Sequence, residues 1–244
     1  MKDYLYDDRE VALLGTFVPA SGILSAGTFA GSSPARAELS PRGPYRQWGK
    51  RALDILLVLL TLPLSLPVIL GCALILWVQE GRPFYRQDRL GENGETFSIL
   101  KLRTMVVDAD RRLEAYLAEN PDMRAEWDAT QKLKNDPRVT MTGRFLRATS
   151  LDELPQLWNV LMGDMSLVGP RPMMPDQLSL YGDARPYFAM KPGITGIWQV
   201  SARNENRFDY RATVDARYFL SLSLAKDVGI LFKTVGVVLR RTGY

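Results

Sequence analysis

The chain has no histidine among its 244 residues. This excludes histidine nucleophiles, general bases and metal ligands, the side chain most used for proton transfer near neutral pH. Cysteine is almost as scarce, because Cys72 is the one copy and lies inside an apolar run. No disulfide within the chain and no thiolate cluster can form, which fits a reducing, cytoplasmic setting. There are no internal repeats. A secretory signal is not expected, since "MKDYLYDDRE" puts acids where a basic leader belongs and no apolar run follows it. Chemistry in this chain must therefore run on carboxylates, arginine, lysine, hydroxyls or a hard metal ion.

With 46% hydrophobic and 24% charged residues, the composition is near the globular average and can bury a core. The formal net charge of +4 suggests an anionic partner: phosphate, nucleotide or an acidic membrane surface. Residues 1–44 are rich in Gly, Ser, Ala and Pro without a sustained period and read as a disordered tail.

From Ala52 to Val78 runs "ALDILLVLLTLPLSLPVILGCALILWV", whose one charge is Asp54. As a straight helix it would be about 40 Å long, enough for a hydrocarbon core of about 30 Å. Pro63 and Pro67 sit near its centre, where each removes a backbone hydrogen bond. Cations flank both ends: Arg46, Lys50 and Arg51 before, Arg82, Arg86 and Arg89 after. A crossing would concentrate them on the cytoplasmic side. Residues 45–80 therefore read as a helix that enters a membrane, breaks at the prolines and returns to the same face. A true span ranks second and a soluble core helix third. Arg51 lies one turn before Asp54 and could pair with it; a contact from Asp54 to the rest of the protein is the alternative.

Residues 81–244 form the body. Phe84-Tyr85 and Thr96 to Leu102 read as strands joined by "GENGE", whose Asn-Gly favours positive φ. Lys101 and Arg103, two apart, would share a strand face that meets solvent or an anion. Two helical segments follow, divided at Asn120-Pro121, then a turn at Asp136-Pro137. The C-terminal "LAKDVGILFKTVGVVLRRTGY" reads as a helix packed on the body or lying at a membrane interface.

The stretch "TSLDELPQLWNV", Thr149 to Val160, carries two readings. Ser150 and Glu153 have the spacing of a capping box, with Asp152 suited to a helix first turn. Local spacing alone favours that structural reading. Arg147 before the carboxylates and Arg171 in "VGPRP" after them open a second one. Cations gathered at paired carboxylates could hold a phosphate and support phosphoryl transfer with Mg²⁺.

From Lys50 onward the chain resembles bacterial sugar transferases of the small monotopic phosphoglycosyl transferase superfamily. The pieces that carry the resemblance are "KRALD", the proline-containing apolar helix, "FYRQDRLGENGETFSILKLRTM", "DPRVTMTGRFLRATSLDELPQLWNVLMGDMSLVGPRP" and "KPGITGIWQVSARN". The likeness is nearest to enzymes that initiate exopolysaccharides by loading galactose or glucose 1-phosphate onto a polyprenyl phosphate. It implies an α+β, mostly helical fold with a re-entrant membrane helix, interfacial helices, a small β-hairpin and a catalytic domain on the cytoplasmic face of the bacterial inner membrane. Asp152 would be the nucleophile and Glu153 the Mg²⁺ ligand. Arg147, Lys101, Arg103 and Arg171 would bind phosphate, with Gln199 and Arg203 as further substrate residues. The substrates implied are a UDP-sugar, galactose ahead of glucose, and undecaprenyl phosphate, with UMP as the released product.

Two departures stand out: Leu66-Pro67 replaces the family's frequent Ser-Pro at the helix break, and "SARN" replaces the usual Ser-Gly-Arg-Asn. The competing class is a membrane-anchored adaptor whose basic face binds an anion without catalysis. A nucleic-acid partner is not expected, because no recognition motif is present. Oligomeric state is not legible.

Overall fold

A computed structural model describes residues 43–130, 133, 135–201 and 210–239. The expected tail and Arg203 lie outside the described residues. A π-helical turn, Tyr45–Gly49, leads into α1, Lys50–Glu80. Then come the hairpin β1 (Phe84–Leu90) and β2 (Thr96–Leu102), and helices α2 (Ala109–Glu119), α3 (Pro121–Thr130) and α4 (Met141–Ala148). A 3-10 turn, Leu151–Gln156, runs into α5, Leu157–Met162. Strand β3 (Ser166–Val168), short helices α6 (Leu178–Tyr181) and α7 (Arg185–Phe188), and strand β4 (Gly193–Thr195) follow. Helices α8 (Ile197–Ser201), α9 (Tyr210–Ser221) and α10 (Leu224–Leu239) complete the described chain. The architecture is mostly helical α+β, as expected, with two small two-stranded sheets.

The apolar run forms one helix, α1, with Pro63 and Pro67 inside it. The Thr61 hydroxyl donates to the carbonyls of Leu57 and Val58, and Ser65 to that of Leu62. Neither serves Leu59 or Pro63, whose carbonyls lie four residues before a proline that has no N–H. Hydroxyl bonds of this kind tend to bend a helix.

The 35 residues from Tyr45 to Gln79 form a helix long and apolar enough to cross a membrane, and its surface is mostly exposed. Leu60, Leu64, Leu70 and Trp77 point outward, whereas Asp54, Val58, Ser65, Ala73 and Leu76 are buried. The buried stripe meets the body near both ends. At the first end, Val58 joins a cluster with Ile99, Val160 and Met165. At the second, Ala73 and Leu76 pack with Leu102 and Leu146. Thr142 donates to Gln79 Oε1 at 2.9 Å there.

The local Arg51–Asp54 pair gives way to contacts with the body. Arg51 donates to the carbonyls of Val160 and, at 2.8 Å, Leu161 in the last turn of α5, where Val160 O also accepts the Gly163 N–H. Asp54 Oδ1 accepts the Leu167 N–H at 3.0 Å as β3 begins. Both groups thus bind backbone atoms of the body.

The hairpin register pairs Phe84 with Leu102 and Leu90 with Thr96. Asn93 (φ 61) and Gly94 (φ 80) supply the positive φ of its turn. Asn159 on α5 extends the ladder: its side-chain carbonyl accepts the Leu100 N–H at 3.0 Å, and its amide donates to Ser98 O at 2.9 Å. One side chain thus locks α5, and the turn before it, onto β2.

Strands β3 and β4 run parallel, Ser166 opposite Gly193 and Val168 opposite Thr195. A Cβ on Gly169 would overlap the Lys191 carbonyl and the Gly193 amide, so the two strand ends approach this closely only with glycine there.

Arg51→Met removes two charged-donor bonds to α5. It is expected to lower stability by about 1–2 kcal/mol, seen as a fall of about 3–6 °C in the unfolding midpoint in mild detergent. An unchanged midpoint would mean that these bonds do not hold α1 to the body.

Candidate active site

The carboxylate pair lies in the 3-10 turn between α4 and α5. The expected capping box does not form. Ser150 sits in the left-handed region (φ 56) and its side chain caps nothing. The residue acts as a backbone pivot: α4 ends at Ala148, the chain reverses at Ser150, and Asp152 and Glu153 turn inward. Asp152 accordingly does not lie in an α-helical first turn, because α5 begins only at Leu157.

Asp152 is 8% exposed. Burial pushes its carboxyl up to about 6, against Lys101 and with the help of Glu153, while Arg147 and Arg171 also pull it down. No hydrogen bond or ion pair reaches the Asp152 carboxylate among the described residues. Three cations therefore hold it ionised near neutral pH without occupying it. Glu153 takes the direct contacts instead: Lys101 Nζ stands 2.8 Å and Arg171 Nη2 3.4 Å from its Oε1. Burial lowers the Lys101 ammonium, and Glu153 is the chief group opposing that shift. Arg147 is half-buried and donates through Nε to Thr104 Oγ1 at 2.9 Å. Its guanidinium is depressed by burial, with Asp152 the first group holding it up.

Three of the candidates therefore converge on the dyad: Lys101, Arg147 and Arg171. Arg103 does not join them. It lies past the end of β2, bonds the carbonyls of Arg82 and Phe84, and sits over the Tyr85 ring. Gln199 is buried on α8 beside a separate pocket.

Arginines that spacing does not single out build the floor. Arg89, Lys101, Glu153, Gln156 and Arg171 line one small polar pocket. Arg89 donates to Pro172 O at 3.2 Å, and Arg211 to Arg171 O at 2.6 Å. These two guanidiniums fix the backbone that carries Arg171. Burial, and the neighbouring Arg171 and Arg211, lower Arg89 to about 10. Behind them Asp215 accepts a hydrogen bond from the Tyr181 hydroxyl and faces Arg211. The single sequence signal for Arg211 and Asp215 is helical spacing, i to i+4, which countless surface pairs share.

The donor set also bears on a metal. Among the described residues there is no group of three acidic, cysteine or histidine side chains. Magnesium, however, is commonly held by one or two carboxylates and completed by water and substrate phosphate. Glu153 at the edge of a cationic pocket fits such a substrate-completed site, with its Oε1 shared with Lys101 and Arg171.

An apolar helix of membrane-crossing length is thus joined to a body that carries a buried carboxylate with three cations about it. Residues 45–241 match the family described as bacterial sugar transferase, and the chain belongs to that family. It is 49% identical over 195 residues to a UDP-galactose-lipid carrier transferase of Erwinia amylovora. It is 48% identical over 199 residues to an undecaprenyl-phosphate galactose phosphotransferase of Salmonella typhimurium. Each match covers 80% of this chain and 41% of the relative, so the chain spans about two fifths of those proteins' length. The exopolysaccharide production protein ExoY of Rhizobium meliloti is 45% identical over 204 residues, 82% of this chain and 90% of the relative.

Asp215 supplies a pH test of the floor. Burial pushes its carboxyl up to about 6, although Arg211 and the Tyr181 hydroxyl pull it down. The folded state thus keeps this proton at pH values where the unfolded chain, with a carboxyl near about 3.9, has lost it. Ionisation of Asp215 therefore costs stability as pH rises from about 4 to about 6. The unfolding midpoint of Asp215→Asn, minus that of the native chain, should climb through this window and then level off. A difference that is flat with pH would place the shift elsewhere.

Proposed function

We propose that this chain transfers a hexose 1-phosphate from a UDP-sugar to undecaprenyl phosphate, releasing UMP, as the first membrane step of exopolysaccharide synthesis. The observation that carries the reading is Asp152: buried, without a hydrogen bond, and held near neutral-pH ionisation by Lys101, Arg147 and Arg171. A purely structural carboxylate buried this deeply would be paired. The names of the Erwinia and Salmonella relatives support the substrates, and because both name galactose we take it as the sugar ahead of glucose.

The mechanism follows from one nucleophile serving two phosphates. An Asp152 oxygen attacks the β-phosphorus of the UDP-sugar. The bond from that phosphorus to the bridging oxygen breaks, UMP leaves with the electron pair, and the sugar phosphate stays on Asp152 as an acyl phosphate. An oxygen of undecaprenyl phosphate then attacks the same phosphorus, forms the diphosphate link and returns the Asp152 carboxylate. One difficult displacement becomes two easier ones. Lys101 and Arg171, locked on Glu153, and Arg147, locked on Thr104, are already placed for the charge that spreads over the phosphoryl oxygens. Glu153 would hold Mg²⁺, which when bound neutralises diphosphate charge. Arg103, bonded to the carbonyls of Arg82 and Phe84, braces the hairpin that carries Lys101, and Arg203 and Gln199 complete the substrate contacts.

Residues 45–80 serve as a re-entrant membrane helix that places residues 81–244 on the cytoplasmic face of the inner membrane. The attachment of both ends supports this. Val58 and Leu76 would be about 27 Å apart on a straight axis. They pack into clusters containing Ile99 and Leu102, only about 10 Å apart along β2. A bend at Pro63 and Pro67 reconciles the two spacings.

Incubating the chain with a panel of UDP-sugars, Mg²⁺ and undecaprenyl phosphate in detergent tests the reading. UMP should appear with one hexose, and Asp152→Asn should reduce it at least about 10³-fold while leaving membrane binding intact. Labelled UMP should also exchange into the UDP-sugar without lipid, the signature of the covalent intermediate. A folded chain that releases no UMP from any donor would favour the anion-binding adaptor.

A further inference from the structure

Glu153 stands between two pockets of opposite character. On one side is the polar pocket with Arg89, Lys101 and Arg171. On the other is a groove with a cavity volume of about 180 Å³, walled chiefly by Leu154, Leu157, Val200, Val237 and Val238. The second groove runs between α10 and the segment that joins the carboxylate turn to α5. Both of these elements turn apolar side chains outward: Trp158 on α5, and Phe232, Val235 and Leu239 on α10. The groove therefore lies just behind a surface of the same character as the exposed face of α1, and Glu153, next in the chain to Asp152, lines it.

Its inner wall is not wholly apolar. Gln199 is 6% exposed, and neither amide atom has a hydrogen-bond partner among the described residues. Beside it the Thr195 and Thr234 hydroxyls are hydrogen-bonded at 2.7 Å, and Thr234 donates to the Ile230 carbonyl at 2.8 Å. A buried amide left open in this way costs free energy unless a ligand engages it. A molecule with a polar head at Gln199 and Glu153 and an apolar chain along Val237 and Val238 matches the groove from end to end.

We propose that this groove holds the first isoprenoid units of the lipid acceptor, with Gln199 donating from Nε2 to the lipid phosphate. The inference rests on the transferase reading and deepens it. The donor's phosphates occupy the cationic pocket, the acceptor's chain the apolar groove, and the dyad turn lies between them. Binding of the two substrates from opposite sides of one residue lets the lipid enter from the membrane while the nucleotide leaves toward water. A nucleobase is the competing occupant, because an amide could pair with it, but the apolar walls and the exposed apolar flanks favour a hydrocarbon chain.

Val238→Phe, which narrows the groove, tests this in the full chain with the UDP-sugar it uses. The KM for undecaprenyl phosphate should rise roughly tenfold or more, with the donor KM shifted less than about twofold. A rise in donor KM alone would assign the groove to the nucleotide and overturn the proposal. Equal, small effects on both would do the same. A second measurement needs no variant: a prenyl phosphate bearing a diazirine on its first isoprene unit should label α10. Labelling confined to α1 would overturn the assignment. A native chain that shows neither UMP exchange nor UMP release refutes the transferase reading itself, an outcome distinct from intact exchange with an indifferent Val238→Phe.

Discussion

Everything in this fold is oriented by one buried carboxylate, Asp227, whose residue is 0% exposed. It accepts the Tyr45 hydroxyl at 2.6 Å, the Lys50 ammonium at 2.6 Å and the Tyr218 hydroxyl at 2.6 Å. A charge removed from water this completely is tolerable only when its oxygens are filled by good donors. Those donors come from the entry to α1, its first turn and α9, and Asp227 itself belongs to α10. The apolar helix is therefore not a detachable anchor. Its start is welded to the two helices that close the body, and α10 forms one wall of the groove beside the dyad.

The same economy governs the carboxylate turn. Asn159 fastens α5 to β2 with two backbone bonds, and Lys101 on β2 reaches back to Glu153. Strand and turn thus hold each other, and the cations around Asp152 are fixed before any ligand arrives. Arg171 depends on a longer chain of support, through Arg211 and Arg89 on its flanking carbonyls and Asp215 behind Arg211. Cations held in place by their own backbone need not reorganise when phosphate charge develops, which is where a site of this kind gains most. The cost is visible in the raised carboxyls of Asp152 and Asp215 and the lowered guanidinium of Arg89. Stability is given up locally so that charge can be held dry.

Several features were legible in the residues alone because short-range chemistry decides them. Asn93-Gly94 made a hairpin turn, Pro121 opened α3, and the apolar run from Ala52 made one long helix. The dyad with Arg147 and Arg171 was legible as a candidate group, and the family followed from the combination of motifs. Where local and distant partners compete, the distant ones prevailed. Ser150 and Glu153 have the spacing of a capping box, yet Lys101, 52 residues earlier in the chain, takes Glu153 and the turn tightens to 3-10. Arg51 and Asp54 are spaced to pair, yet each serves backbone atoms of the body.

The amino-acid sequence by itself determined that this protein has a membrane-length apolar helix, a body able to bury a core, and chemistry confined to carboxylates and cations. These are properties of composition and of periods of a few residues. Tertiary structure alone decided which charges meet. Lys101 and Arg103 are two residues apart, but only Lys101 reaches the dyad, because β2 ends at Leu102 and Arg103 turns to the carbonyls of Arg82 and Phe84. Arg89, Arg211 and Asn159 became part of the site through packing partners more than 35 residues away. A hydrogen bond is chosen by distance in space, and distance in space between remote residues is set by the whole fold.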